Sequence, residues 1–119
     1  MNVHEKLNYV EFPAIDLQAT KDFFSGAFDW QFEDFGSEYV AFSNEGLAGG
    51  FFQSEQKSLT ANGSALLVFY SNDIKNTLTK VESFGGEIVQ DIFAFPGGYR
   101  FHFTEPSGSE FAVWSDIAP

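Results

Sequence analysis

Cysteine is absent from this chain of 119 residues, and with it every disulfide, thiolate metal site and cysteine nucleophile. Basic residues are scarce: six against seventeen acidic ones, for a formal net charge of −11. Only one of the six, Arg100, is an arginine. Nucleic acid and anionic membrane surfaces both require a basic patch, so neither is expected as a partner. No apolar run approaches the roughly 20 residues needed to span a bilayer. The opening MNVHEKLNYV lacks the apolar stretch of a signal peptide, so a cytoplasmic protein is expected. Charged residues make up 19%, but hydrophobic residues make up 44% and aromatics 18%, with sixteen phenylalanines. That composition suits one globular domain with a sizeable core. Flat side chains fill cores, and they also line pockets for small apolar ligands.

Taken in order, Leu7 to Phe12 alternates as a strand, with Tyr9 and Glu11 on one face and Val10 and Phe12 on the other. Pro13 suits its end and Asp16 is an N-cap for a helix over Leu17 to Phe28. Trp30 to Phe35, Tyr39 to Ser43 and Leu47 to Gln53 read as strands. The Gly49-Gly50 pair inside the last suggests a bulge or a close backbone approach. Ser54 to Ser64 is polar and reads as a linker. The same order then returns: a strand at Ala65 to Tyr70, the cap Asp73, and a helix over Ile74 to Phe84 stopped by Gly85-Gly86. Strands follow at Glu87 to Phe95, Tyr99 to Phe103 and Glu110 to Trp114, the last two joined by the turn Glu105-Pro106-Ser107-Gly108.

Asp16 and Asp73 lie 57 positions apart (73 minus 16), and the same offset carries Phe12 to Phe69. The chain is therefore a single α+β domain of two paired βαβββ modules. They cover about residues 7–55 and 64–116, with a linker at about 56–63. Each module can bury only the helix side of its sheet. Two of them are expected to form a curved sheet around a shared cavity, lined by the strand positions that point away from the helices. Those positions are Tyr9 and Glu11 in the first module, and Leu66, Val68, Tyr70, Arg100, His102, Glu110, Ala112 and Trp114 in the second.

Arg100 and His102 share one face of a strand whose other face is Phe101 and Phe103. A strand with one face in water would carry the same pattern, and the modular repeat moves the pair toward a cavity wall. A guanidinium removed from water needs an anion, and two sources are open. Glu11 could be a standing ion-pair partner across the cavity, or a ligand could bring the anion, with Glu11 and His102 available for proton transfer. His4, Asp16, Asp73 and Trp30 are given no functional role, nor are Ser107, Ser109 or the Gly97-Gly98 pair.

Three stretches, FPAIDLQATKDFFSGAFDW, FYSNDIKNTLTKVESFGGEIV and FPGGYRFHFTEPSGSEFAVW, together with the paired order of elements, resemble the glyoxalase/bleomycin-resistance/dioxygenase superfamily, the vicinal oxygen chelate proteins. The resemblance implies that fold. It leaves function open, because isomerases, dioxygenases, antibiotic-modifying enzymes and binding proteins share the scaffold. The metal enzymes of the superfamily place His, Glu or Gln at set positions on the cavity strands. Here those positions fall on Tyr9, Leu66, Ala112 and the Gly49-Gly50 region, with Gln53 further on. One phenol cannot hold a divalent ion, so no metal or other cofactor is expected, nor the usual lactoylglutathione lyase chemistry.

A metal-free pocket for a small organic molecule, anionic or aromatic, is expected in a homodimer. Arg100, Tyr9, Tyr70 and Trp114 are the expected binding residues. A metal-independent isomerase or lyase would use Glu11 and His102 as acid and base. An interaction module with a decayed site is the third possibility.

Overall fold

The structure, a computed structural model, describes residues 2–119. Strand β1 (Tyr9–Ala14) leads into helix α1 (Leu17–Phe28), followed by β2 (Phe32–Asp34), β3 (Tyr39–Glu45) and β4 (Leu47–Gln53). A 3-10 turn at Thr60–Asn62 precedes the second module: β5 (Leu67–Tyr70), α2 (Ile74–Ser83), β6 (Glu87–Phe95), β7 (Gly98–Thr104) and β8 (Glu110–Ser115). Each module makes its own four-stranded sheet, in the orders β1-β4-β3-β2 and β5-β8-β7-β6. The first strand of each module is an edge strand, and it pairs parallel to the last. β1 runs two residues past Phe12, through Pro13, because an edge strand tolerates a missing donor.

Both helices start as their capping residues dictate. Asp16 accepts from the Ala19 amide at 3.0 Å, and Asp73 accepts from the Asn76 amide at 3.2 Å. The 57-residue offset holds inside the helices too: Leu17 and Ile74 are both buried, as are Thr20 and Thr77. α2 stops at Ser83, and Phe84 turns back so that its ring covers Gly26 of α1. A Cβ at Gly26 would overlap that ring, so the glycine is what lets the helices close there.

One phenylalanine core serves both modules. Phe12 of β1 and Phe24 of α1 meet Phe111 of β8 at 4.8 and 5.3 Å between centroids, and Phe23 meets Phe103 at 5.7 Å. Burying each such ring contributes roughly 1.5–3 kcal/mol, so the modules hold each other by area alone. Trp30 belongs to this core, stacked on Phe24 at 4.6 Å. Polar contacts reinforce the junction: the β7–β8 turn inserts a buried carboxylate, Glu105, which accepts from the Thr20 hydroxyl of α1 at 2.5 Å. With the helices on one side of each sheet, the other faces stay open, and these carry the candidate site. Among the described residues, no helix is long and apolar enough to cross a membrane.

Candidate functional site

Strand alternation sorts β7 cleanly. Phe101 and Phe103 point into the core with no exposure, so Arg100 and His102 stand on the open face. Register places Arg100 between Phe93 of β6 and Trp114 of β8, and His102 between Gln90 and Ala112. The guanidinium carbon lies 6.0 Å from the Phe93 ring centroid and 5.7 Å from that of Phe95. Trp114 packs edge-on against both Phe95 and Tyr70. The open face of the second sheet is thus a cation set among aromatic rings.

A chain of polar contacts orients that cation. Arg100 Nε donates to His102 Nε2 at 3.2 Å. A guanidinium has only donors, so Nε2 accepts and Nδ1 is the donor of the ring. Nδ1 then donates to Glu110 Oε2 at 2.9 Å. The other carboxylate oxygen, Oε1, accepts from the Thr60 amide at 3.0 Å and its hydroxyl at 2.7 Å. Burial alone would raise the Glu110 carboxyl, but the hydrogen bonds from His102 and Thr60 outweigh it and hold it below its usual value. Both imidazole nitrogens are therefore occupied. Among the described residues Arg100 pairs with no carboxylate, and its two terminal NH2 groups have no protein partner.

Glu11 is engaged elsewhere. On the open face of the first sheet, Tyr39 donates to Glu11 Oε2 at 2.8 Å, and the Tyr9 and Tyr39 hydroxyls lie 2.6 Å apart. Since Tyr39 spends its only proton on Glu11, Tyr9 donates to Tyr39, and the protons run in file from Tyr9 to Glu11. Burial, with those two hydrogen bonds, raises the Tyr39 phenol far above its ordinary value. Gly50, opposite Glu11 in the ladder, makes this possible: a Cβ there would collide with the Tyr39 hydroxyl. The close approach expected at Gly49-Gly50 is a ring laid over bare backbone. Beside it, Tyr9, Tyr39, Phe32 and Phe35 line an open cavity of about 590 Å3.

The expected site residues thus fall into two groups. Arg100, His102, Trp114 and Tyr70 share the second sheet, where Tyr70 also donates to Asp116 at 2.5 Å. Tyr9 and Glu11 share the first. No Glu11–Arg100 salt bridge forms. From the sequence Glu110 is expected only as a lining position, and neither Tyr39 nor Thr60 is expected at the site. Tyr39 carried a signal, an aromatic alternating with Val40 in a strand. Thr60 carried none, because it sits in a polar connection without periodicity.

The residues at the metal positions do not fit a divalent ion. Tyr9 is committed to Tyr39, Ala112 presents a buried methyl, and Gly50 is roofed by the Tyr39 ring. Among the described residues, no three His, Cys, Asp or Glu side chains come together as a ligand set.

Comparison with known proteins agrees with this fold. The profile of the Glyoxalase/Bleomycin resistance protein/Dioxygenase superfamily matches residues 6–113. No curated protein matches the chain. Among solved structures, a glyoxalase/bleomycin resistance protein/dioxygenase family enzyme from Burkholderia phytofirmans PsJN has a TM-score of 0.78 at 15% identity, over 94% of this chain and 99% of that one. The fosfomycin resistance protein FosX from Listeria monocytogenes gives 0.77 at 15% identity, over 95% and 94% of the two chains. Lactoylglutathione lyase from Agrobacterium tumefaciens gives 0.69 at 19% identity, over 93% of each. At such identities the likeness is one of fold.

Proposed function

The chain belongs to the glyoxalase/bleomycin resistance protein/dioxygenase superfamily, and from that premise we propose that it binds a small organic anion with a flat apolar body, without a metal, on the open face of its second sheet. The observation that carries this reading is the unpaired guanidinium of Arg100, held by His102 and backed by Glu110 and Thr60. A planar fork with two free NH2 groups matches a carboxylate in a bidentate pair. Phe93, Phe95 and Trp114 supply surface for an aromatic or amphipathic body. His102 acts here as a positioning residue, bridging Arg100 and Glu110. We assign Tyr70, edge-on to Trp114, to the ligand's margin, and Tyr9 to the second reading below. A homodimer completes the proposal. A cysteine-free chain suits the reducing cytoplasm.

A second reading rests on the file of protons from Tyr9 through Tyr39 to Glu11. In a metal-independent isomerase or lyase, Glu11 would accept a substrate proton and the phenols would reorient around it.

A thermal-shift screen of aromatic and aliphatic carboxylates against their amides tests the binding reading. Carboxylates that raise the melting temperature of the native protein should lose that effect in Arg100→Ala, because only a ligand preferring the folded state stabilises it. Equal shifts from amides and acids would refute it. Turnover of a binding carboxylate, lost in Glu11→Gln, would favour the enzyme.

A further inference from the structure

The edge strands of the two sheets leave a groove. About 670 Å3 of open space lies between β1 and β5, within the usual range for small-molecule sites. Val10 and Phe12 line one side, Leu66 and Val68 the other, with Trp30 and Phe42 in the same lining. Val68 is 44% exposed, so this apolar surface is open to solvent. One carboxylate belongs to the lining, that of Glu45. Tyr70 lines the groove too, but its hydroxyl is spent on Asp116.

Glu45 reaches the groove through a specific backbone device. Val40 and Phe42 point into the core, and unbroken alternation would send Asn44 after them and turn Glu45 outward. The ladder instead slips between Phe42 and Glu45, with Asn44 at φ 66° and Gly46 at φ 96°. This bulge advances the alternation by one residue, so Glu45 joins Phe42 and Leu47 in the lining. A non-glycine residue held at positive φ costs conformational energy, and here it serves to aim a charge at an apolar surface. Burial raises the Glu45 carboxyl above its ordinary range; a hydrogen bond from the Gln31 main chain opposes the rise and Asp29 adds to it. Among the described residues no lysine, arginine or histidine pairs with Glu45.

We propose that this groove is a second ligand site, selective for a lipophilic ammonium: an amine whose apolar body lies between the edges of β1 and β5 and whose charged nitrogen meets Glu45. Charge decides the ligand class. The lining offers one negative group and no positive one, Asp29 deepens the negative field, and the chain carries −11 overall. Unpaired carbonyls along the two free edges can take the remaining N–H donors of an ammonium. The site is chemically opposite to the Arg100 face, so each should ignore the other's ligand.

Trp30 lines the groove and reports on it. In Trp114→Phe protein it is the sole indole, and its fluorescence is followed while 4-phenylbutylammonium or the neutral 4-phenylbutanol is added. The ammonium should give a saturable change. The alcohol should bind about tenfold more weakly, the equivalent of one charge-assisted hydrogen bond. Glu45→Gln should weaken the ammonium by about the same factor, and Arg100→Ala should leave it unchanged. Equal affinity for alcohol and ammonium, an unaltered Glu45→Gln titration, or no saturable change in protein with native circular dichroism would each overturn the proposal. So would a dimer that Val68→Asp converts to monomer, since a second copy would then fill the groove.

Discussion

Glu105→Ala should be among the most damaging single substitutions in this protein, and the structure says by how much. The side chain is 2% exposed, in the turn that locks the second module onto α1. One oxygen accepts from the Thr20 hydroxyl at 2.5 Å and the Ser107 amide at 3.1 Å; the other accepts from the Ser109 amide at 2.9 Å. Truncation strands two buried amides, at about 1–3 kcal/mol each, while Thr20 can turn to the Ser107 hydroxyl 2.8 Å away. Relief of the carboxylate's own desolvation returns part of this, leaving a net loss of about 2–4 kcal/mol. At about 2.1 cal/mol/K per residue, a chain of this length loses about 4 °C per kcal/mol, so the melting temperature should fall by about 8–16 °C. The pH dependence adds a signed check. Burial raises the Glu105 carboxyl above its unfolded value, against hydrogen bonds from Thr20, Ser109, Ser107 and Gly108. A raised folded value means the native state holds the proton longer. Glu105 therefore contributes most below the ordinary carboxylate range and loses part of that contribution as pH rises through its folded value. Urea unfolding of both proteins from acid to neutral pH should show a stability gap that narrows with rising pH. A gap under about 1 kcal/mol throughout, or one that widens, would refute the reasoning.

Other outcomes follow from the same contacts. Gly50→Ala should lose about 1–3 kcal/mol in urea unfolding by colliding with the Tyr39 hydroxyl, and Tyr39→Phe should restore part of the loss; additive losses would contradict the contact. Glu110, whose carboxyl is held low against its own burial by His102 and Thr60, lends stability that is present above the unfolded carboxylate value and lost as pH falls through the folded one. Glu110→Gln should flatten that acid limb. Elemental analysis after dialysis against Zn2+ should find no stoichiometric ion, since Tyr9, Leu66, Ala112 and Gly50 offer no ligand set; one ion per chain would overturn this. Light scattering at micromolar concentration should give the mass of a dimer.

The features legible in the sequence were those that depend on neighbours along the chain. Asp16 and Asp73 cap helices because the amide each satisfies is three residues on, so the 57-residue repeat and both modules could be read directly. Arg100 and His102 share a face by strand alternation alone. Contacts that close across the fold were not legible. Tyr39 reaches Glu11 over 28 positions, Thr60 reaches Glu110 over 50, and Glu105 reaches Thr20 over 85, none of which leaves a periodic trace. Glu11 and Arg100 both face away from their helices, which leaves an ion pair between them open in the sequence, yet each module gives its own residue a partner first: Tyr39 for one, His102 for the other. The bulge that turns Glu45 inward is a slip in the β3–β4 register, which the alternation of β3 alone does not reveal.

Because the chain has a single arginine, the central claim can be tested on one resonance. In 15N-labelled protein the side-chain Nε–H signal in the arginine region belongs to Arg100, and its bond to His102 should slow its exchange with water. Titration with 4-phenylbutyrate and the carboxylate hits of the screen should move that signal along a saturable curve, while the matched amides leave it in place. Arg100→Ala should cost under about 1 kcal/mol in stability, as expected for a partly exposed charge with no carboxylate partner, and should abolish binding. A carboxylate that binds with full affinity to Arg100→Ala, or that saturates without moving the Nε–H signal, would contradict the account.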